Sequence, residues 1–73
     1  MEDKEQLQAE LCEISLLIIQ KLEDPNIELT LEQKEELHMA NNSMLFFIQQ
    51  ENWERAWKEG METLNKLIEI TES

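Results

Sequence analysis

The sequence predicts an all-α fold: a small three-helix bundle with up-down-up topology that we expect to associate with itself. The 73-residue chain contains a single glycine and a single proline, so it has few residues that break helices. Its apolar residues recur at helical spacings, and no strand-length segment alternates apolar and polar residues. We therefore expect residues 1–73 to form one helical domain, with helices near residues 3–23, 30–50 and 52–71.

The first helix is predicted by an apolar stripe whose members are three or four residues apart. The stripe consists of Leu7, Leu11, Ile14, Ile18 and Leu22. Acidic residues lie at its start, where the positive end of the helix dipole stabilises negative charge. The helix should end at Asp24-Pro25, because the residue before a proline is pushed out of helical geometry. Residues 25–29 are then a loop.

Capping residues predict where the next two helices begin. Thr30 followed by Gln33 fits a capping box, and Asn52 is a favourable N-cap residue. The connection between these helices is so short that they must be antiparallel neighbours. One face of the third helix carries most of its apolar side chains and is expected to point inward. That face consists of Trp53, Trp57, Gly60, Met61, Leu64, Leu67, Ile68 and Thr71.

The junction of the second and third helices resembles a known repeat unit. Phe47 and the segment Asn52–Ala56 are similar to the turn between the paired helices of a tetratricopeptide repeat. The chain departs from that pattern at Gly60, where an aromatic residue is usual, and at Thr63, where alanine is usual. One repeat cannot form a solenoid. The resemblance therefore implies a tight helical hairpin and nothing about function.

The first two helices carry more apolar residues than one inward face needs. Met44–Ile48 are five consecutive apolar residues, and successive helix residues turn by about 100°, so they point all around the helix. Leu37, Ala40, Met44, Phe47 and Ile48 are expected to point inward. In the first helix, Cys12, Leu16 and Ile19 make a second stripe beside the main one.

Two interpretations of this excess remain open. Either all these residues belong to the core, or some form an exposed patch that a partner covers, since soluble monomers rarely expose large apolar patches. We expect the contact to contain Leu16, Ile19, Leu45 and Phe46. Trp53 is expected to join them, because tryptophan is enriched in binding hot spots and a helix end is less buried. Trp57, one turn further in, is expected in the core.

The chain is too short for a large core, and this favours association. A domain of this size buries only about 60% of its unfolded surface. Cys12 is the only cysteine, so no disulfide within the chain is available, and one cysteine with one histidine cannot build a structural zinc site. We expect a homodimer in preference to an obligate different partner. The lone thiol is typical of a reducing compartment, so a cytoplasmic protein is expected.

The charge excludes several kinds of partner. Seventeen acidic residues oppose six basic ones, a formal charge of −11, whereas nucleic acids and anionic lipids attract basic proteins. We therefore expect neither direct nucleic-acid binding nor membrane binding. The acidic N-terminal sequence and the short apolar runs also predict no signal peptide and no membrane span.

The sequence offers little for catalysis or metal binding. Glu35 and His38 have the Glu-x-x-His spacing that places a carboxylate and an imidazole on one helix face, as in di-iron bundles. A homodimer could supply two such pairs, with Glu10 or Glu13 as further ligands, but the spacing is common by chance in a glutamate-rich chain. The candidate nucleophiles, Ser15, Ser43 and Cys12, have no activating base nearby in the sequence. We expect no enzymatic activity, no metal and no cofactor.

Three functions remain. The preferred one is a small acidic interaction module, a regulator or inhibitor that binds a protein partner with a basic surface through an apolar, acid-rimmed helical face. The second is a DNA mimic that occupies another protein's nucleic-acid site. Its support is the charge, which is densest in residues 1–24, where seven acidic residues oppose two basic ones. The third is an accessory subunit that folds only within a larger assembly.

Overall fold

The computed structural model describes residues 4–72, and within that range the chain forms three α-helices and no strand. Helix α1 spans Lys4–Leu22, α2 spans Leu31–Gln49 and α3 spans Trp53–Glu72. Each helix packs against the other two in a rod of 42 × 17 × 16 Å. The predicted all-α three-helix bundle is confirmed. Asp3, where the first helix was expected to begin, lies outside the described residues.

The ends of α1 show how the bundle is arranged. The Nζ atom of Lys4 lies 3.0 Å from a carboxylate oxygen of Glu51, which places the start of α1 beside the start of α3. Helices α1 and α3 therefore run in the same direction, with α2 antiparallel to both. At the other end, the Asp24 carboxylate accepts a hydrogen bond from the Asn26 N–H at 2.9 Å. This turn around Pro25 reverses the chain, as the Asp-Pro pair predicts.

The predicted cap of α2 is present. The Thr30 hydroxyl oxygen accepts a hydrogen bond from the Gln33 N–H at 3.0 Å. In return, the Gln33 side chain accepts one from the Thr30 N–H, also at 3.0 Å. These reciprocal bonds satisfy backbone donors that a helix start otherwise leaves unpaired, which fixes the first turn of α2.

A three-residue connection, Gln50–Asn52, joins α2 to α3. Glu51 has a φ of 58°, in the left-handed region that glycine usually occupies at this position. Its N–H donates to the Ile48 carbonyl at 3.0 Å, and the Asn52 N–H donates to the Phe47 carbonyl at 2.9 Å. These two bonds are those of a Schellman motif. The side chain of Asn52 then accepts from the Arg55 N–H at 3.4 Å, so it caps α3 as expected.

The core contains residues from all three helices. Its buried apolar members are Leu11, Ile18, Leu22, Leu37, Met44, Ile48, Ala56 and Leu67. The predicted stripe of α1 points inward, and Leu7 and Ile14 pack at its edge. On α2, Ala40 and Phe47 are only half-buried, because Asn41 takes a core position that sequence reasoning did not assign. The Ser15 hydroxyl donates to the Asn41 side-chain oxygen at 2.8 Å, so this buried acceptor is paired.

The predicted inward face of α3 is partly wrong. Trp57, Met61 and Ile68 are exposed to 42%, 37% and 45%, although all three were expected to point inward. The buried side of α3 instead carries small residues followed by one leucine. Its members are Ala56, Gly60, Thr63 and Leu67.

Close packing at Gly60 explains this rotation of α3. A Cβ atom added to Gly60 would lie 2.8 Å from the Met44 Cε and 3.2 Å from the Ile14 Cγ2. The side chains of α1 and α2 therefore already fill the space over the α3 backbone, and a tryptophan there would overpack the core. Thr63 is accommodated because its hydroxyl donates to the Glu59 carbonyl at 2.8 Å. Small residues thus allow α3 to approach the other helices closely.

Candidate interaction surface

The residues that the sequence nominated for partner contact differ in their exposure to solvent. Leu16 and Phe46 are exposed, whereas Ile19, Leu45 and Trp53 are half-buried. Leu45 and Trp53 also pack against the core. These five residues therefore differ in how much surface they can offer to a partner.

Two of the nominated residues, Ile19 and Leu45, lie beside the contact between α1 and α2. The Ser15–Asn41 hydrogen bond marks the sides of α1 and α2 that face each other. Ile19 and Leu45 each follow one of these residues by four positions, so both flank the contact between α1 and α2. Phe46 is turned about 100° away from Leu45 and points outward. Its ring packs edge-on against Phe47, with 5.8 Å between the ring centroids.

Two contacts show which side of α3 faces α2. The Arg55 guanidinium lies 5.4 Å from the centre of the Phe47 ring, and the Lys66 Nζ lies 3.3 Å from a carboxylate oxygen of Glu36. Trp57 follows Arg55 by two positions, and Ile68 follows Lys66 by two. Because two positions correspond to a rotation of about 200°, Trp57 and Ile68 lie on the opposite side of α3, away from α2.

That opposite side of α3 borders α1. Ile14 of α1 lies over Gly60, so this part of α1 faces α3, whereas Ser15 faces α2. Leu17 follows Ser15 by two positions and is turned about 200° from it, toward the α3 side. The Leu17 side chain is 42% exposed.

Four exposed apolar side chains thus lie on the two sides of the contact between α1 and α3. We call the surface formed by Leu17, Trp57, Met61 and Ile68 the α1–α3 groove. Leu64 of α3 is half-buried at its floor and packs against the core. Sequence reasoning recognised the apolar stripe on α3 but placed it inside the bundle, and it did not select Leu17.

A shallow depression lies on α1 and includes Leu17 of this surface. It is lined by Glu13, Ile14, Leu16, Leu17 and Gln20. Leu16, one of the residues nominated from sequence, therefore adjoins the groove through Leu17. Phe46, in contrast, lies on the outer face of α2 and away from it.

Charged residues near the groove form a mainly acidic rim. We define the acidic rim as the charged helical residues one or two turns from a groove residue. It contains the acids Glu10, Glu13, Glu54 and Glu72 and the bases Lys21 and Lys58. Lys21 is half-buried, whereas the four acids are exposed. The rim therefore carries a negative charge, as the whole chain does.

Most of the other candidate groups for chemistry lie at exposed positions. Glu35 and His38 are exposed on α2, and residues 4–72 contain no cluster of three or more potential metal ligands among His, Cys, Asp and Glu. Cys12, which belongs to the second stripe of α1, is exposed. In the same range, no helix is both long enough and apolar enough to cross a membrane.

Comparisons with protein-family models, with curated proteins and with solved structures find no match for this chain. The α1–α3 groove and its acidic rim are therefore the basis for a functional proposal.

Proposed function

We propose that the protein is a small acidic helical interaction module that regulates or inhibits a protein partner by binding it through the α1–α3 groove. The observation that carries this proposal is the orientation of α3 in the bundle. Its small residues, Ala56 and Gly60, are buried, while Trp57, Met61 and Ile68 face solvent. Full burial of a large apolar side chain is worth about 1.5–3 kcal/mol. These three side chains are 37–45% exposed, so a partner that covers them gains somewhat less than half of that free energy for each.

The residue types in the groove suit protein recognition. Tryptophan is among the residues most enriched in binding hot spots. Methionine is flexible and polarizable, so Met61 can adapt to the shape of a bound surface. Acidic groups around an apolar centre accelerate encounters with a basic partner and disfavour acidic ones. The groove and the acidic rim together therefore favour a specific protein contact.

We propose that this action is not catalytic and takes place in the cytoplasm. The hydroxyl of Ser15 is engaged inside the bundle with Asn41, and His38 is the only imidazole in the chain. A lone cysteine is typical of proteins from reducing compartments. The protein would then act by occupying a surface of its partner rather than by changing it chemically.

Affinity capture from the source cell with a matched pair of variants tests this function. The groove pair, Leu17→Ser with Met61→Ser, removes apolar side chains from both walls of the α1–α3 groove. The control pair, Leu31→Ser with Met39→Ser, makes the same two changes at exposed positions of α2. Circular dichroism melts should show both pairs folded, because all four positions are solvent-exposed.

We expect the wild type and the control pair to retain the same partner and the groove pair to lose it. Retention by the groove pair, or equal loss by the control pair, would contradict the proposal. Raising the salt concentration distinguishes DNA mimicry. A contact driven by the groove survives moderate salt, whereas binding through the acidic surface alone is screened.

A further inference from the structure

We infer that the occupant of the α1–α3 groove is a basic amphipathic α-helix of the partner protein and not a second copy of this chain. The inference rests on the proposed function, because it assumes that the groove binds a protein. It is argued from the spacing of the groove residues, from the charges around them and from the chemistry of the exposed indole.

The spacing of the groove residues fits a helical ligand. Trp57, Met61, Leu64 and Ile68 follow one another at intervals of four, three and four residues, the spacing of a helix-packing seam. At 1.5 Å per residue, Trp57 and Ile68 are about 16 Å apart along α3, which equals about three helical turns. Leu17 lies on the α1 side of the same surface. Apolar residues on a bound helix can fit between these two sides, as in other helix-in-groove complexes.

Charge decides between a foreign helix and a second copy. Four acids and two bases border the groove, and the whole chain carries seventeen acids against six bases. A second copy would bring the same acidic rim against this one, and like charges brought together at an interface oppose binding. A helix with lysine and arginine beside its apolar stripe would instead meet Glu10, Glu13, Glu54 and Glu72. The rim therefore favours a basic occupant.

The exposed indole of Trp57 adds a third reason. Lysine and arginine side chains bind over the faces of aromatic rings, and tryptophan is the strongest such acceptor. Their aliphatic stems can also cover apolar surface while the charged ends reach acidic groups. A basic helix can therefore use the same side chains for the apolar wall and for the acidic rim.

A designed peptide tests this inference directly. The probe is an amidated peptide of leucine and lysine, with leucine at helical intervals and no aromatic residue. Trp53→Phe leaves Trp57 as the only fluorophore, so its emission reports on the groove. We expect saturable binding with a shift of Trp57 emission to shorter wavelength. A scrambled peptide of the same composition and a leucine–glutamate peptide should bind at least about tenfold more weakly.

The groove pair and the control pair complete the test. The groove pair should weaken binding of the leucine–lysine peptide at least about tenfold, whereas the control pair should leave it unchanged. If Trp53→Phe impairs folding, calorimetric titration of the protein with both tryptophans in place provides the same comparison. Equal binding of the scrambled peptide, or equal effects of both pairs, would overturn the inference because attraction between net charges would then suffice.

Two further outcomes also decide the matter. If the free chain sediments as a dimer in which Trp57 is protected from quenching, the occupant is a second copy and the inference is overturned. If a cellular partner requires the groove but the leucine–lysine peptide does not bind, the inference falls while the proposed function stands. If the groove pair still captures the partner from the cell, the proposed function itself is contradicted.

Discussion

Leu67 and Ile68 are neighbours in α3, and the packing places them in opposite environments. Leu67 has no exposed surface, whereas Ile68 is 45% exposed in the α1–α3 groove. Leu67→Ala removes methyl groups from the core and leaves a cavity, which costs about 2–5 kcal/mol. Ile68→Ala loses only about half of a full burial, about 1 kcal/mol. The better helix propensity of alanine offsets a few tenths of a kcal/mol of this loss.

These losses are large enough to compare in a small domain. A chain of this length has a free energy of unfolding of about 4–11 kcal/mol, so Leu67→Ala removes a large fraction of it. Urea unfolding followed by circular dichroism measures both variants against the wild type. The midpoint should fall much more for Leu67→Ala, with the denaturant dependence unchanged in both. Equal losses, or a larger loss for Ile68→Ala, would refute the orientation of α3 on which the groove depends.

Two further predictions concern the core and the helix connection. Ser15→Ala should lower the free energy of unfolding by about 1–3 kcal/mol, because the buried Asn41 oxygen loses its donor. Adding Asn41→Leu should recover most of that loss. If the free energy of unfolding of Ser15→Ala alone lies within about 0.5 kcal/mol of the wild-type value, the argument is contradicted. Glu51→Gly should raise the free energy of unfolding by about 0.5–1 kcal/mol, because glycine adopts a φ of 58° without the cost of a side chain. The same change breaks the exposed pair with Lys4, which is worth at most about 1 kcal/mol, and Lys4→Ala measures that contribution separately. A loss of stability in Glu51→Gly that exceeds the loss in Lys4→Ala, measured by the same urea unfolding, would show that the left-handed residue carries no strain.

Signals between residues close in the sequence predicted most of the fold. The capping box at Thr30, the stop at Pro25 and the cap at Asn52 involve partners within four residues, so the sequence contains the whole interaction. The apolar stripe of α1 is equally local. The three helices and their order therefore follow from sequence, with boundaries that differ from the expected ones by a residue or two.

The rotation of α3 depends on residues far apart in the sequence. The apolar stripe on α3 is wide, and which edge turns inward depends on the space left by Ile14 and Met44 over Gly60. The Ser15–Asn41 pair, separated by 26 residues, likewise has no local signal. Of the residues nominated for partner contact, Leu16 borders the groove through Leu17, whereas Phe46 lies elsewhere. Their contact with a partner remains a prediction. The expected homodimer also remains a prediction, and it would have to form through a surface other than the α1–α3 groove.

Oxidative footprinting of the free, dilute chain is the measurement that tests the central claim most directly. Met61 and Trp57 should be oxidised readily because they lie in an open groove, and Met44 should be protected because it is fully buried. Met39, which is exposed on α2, provides an internal reference for an accessible methionine. Binding of the partner should then protect Met61 and Trp57 but not Met39. If Met61 and Trp57 are as protected as Met44 in the free chain, the groove is already covered and it cannot be the vacant binding surface of this protein.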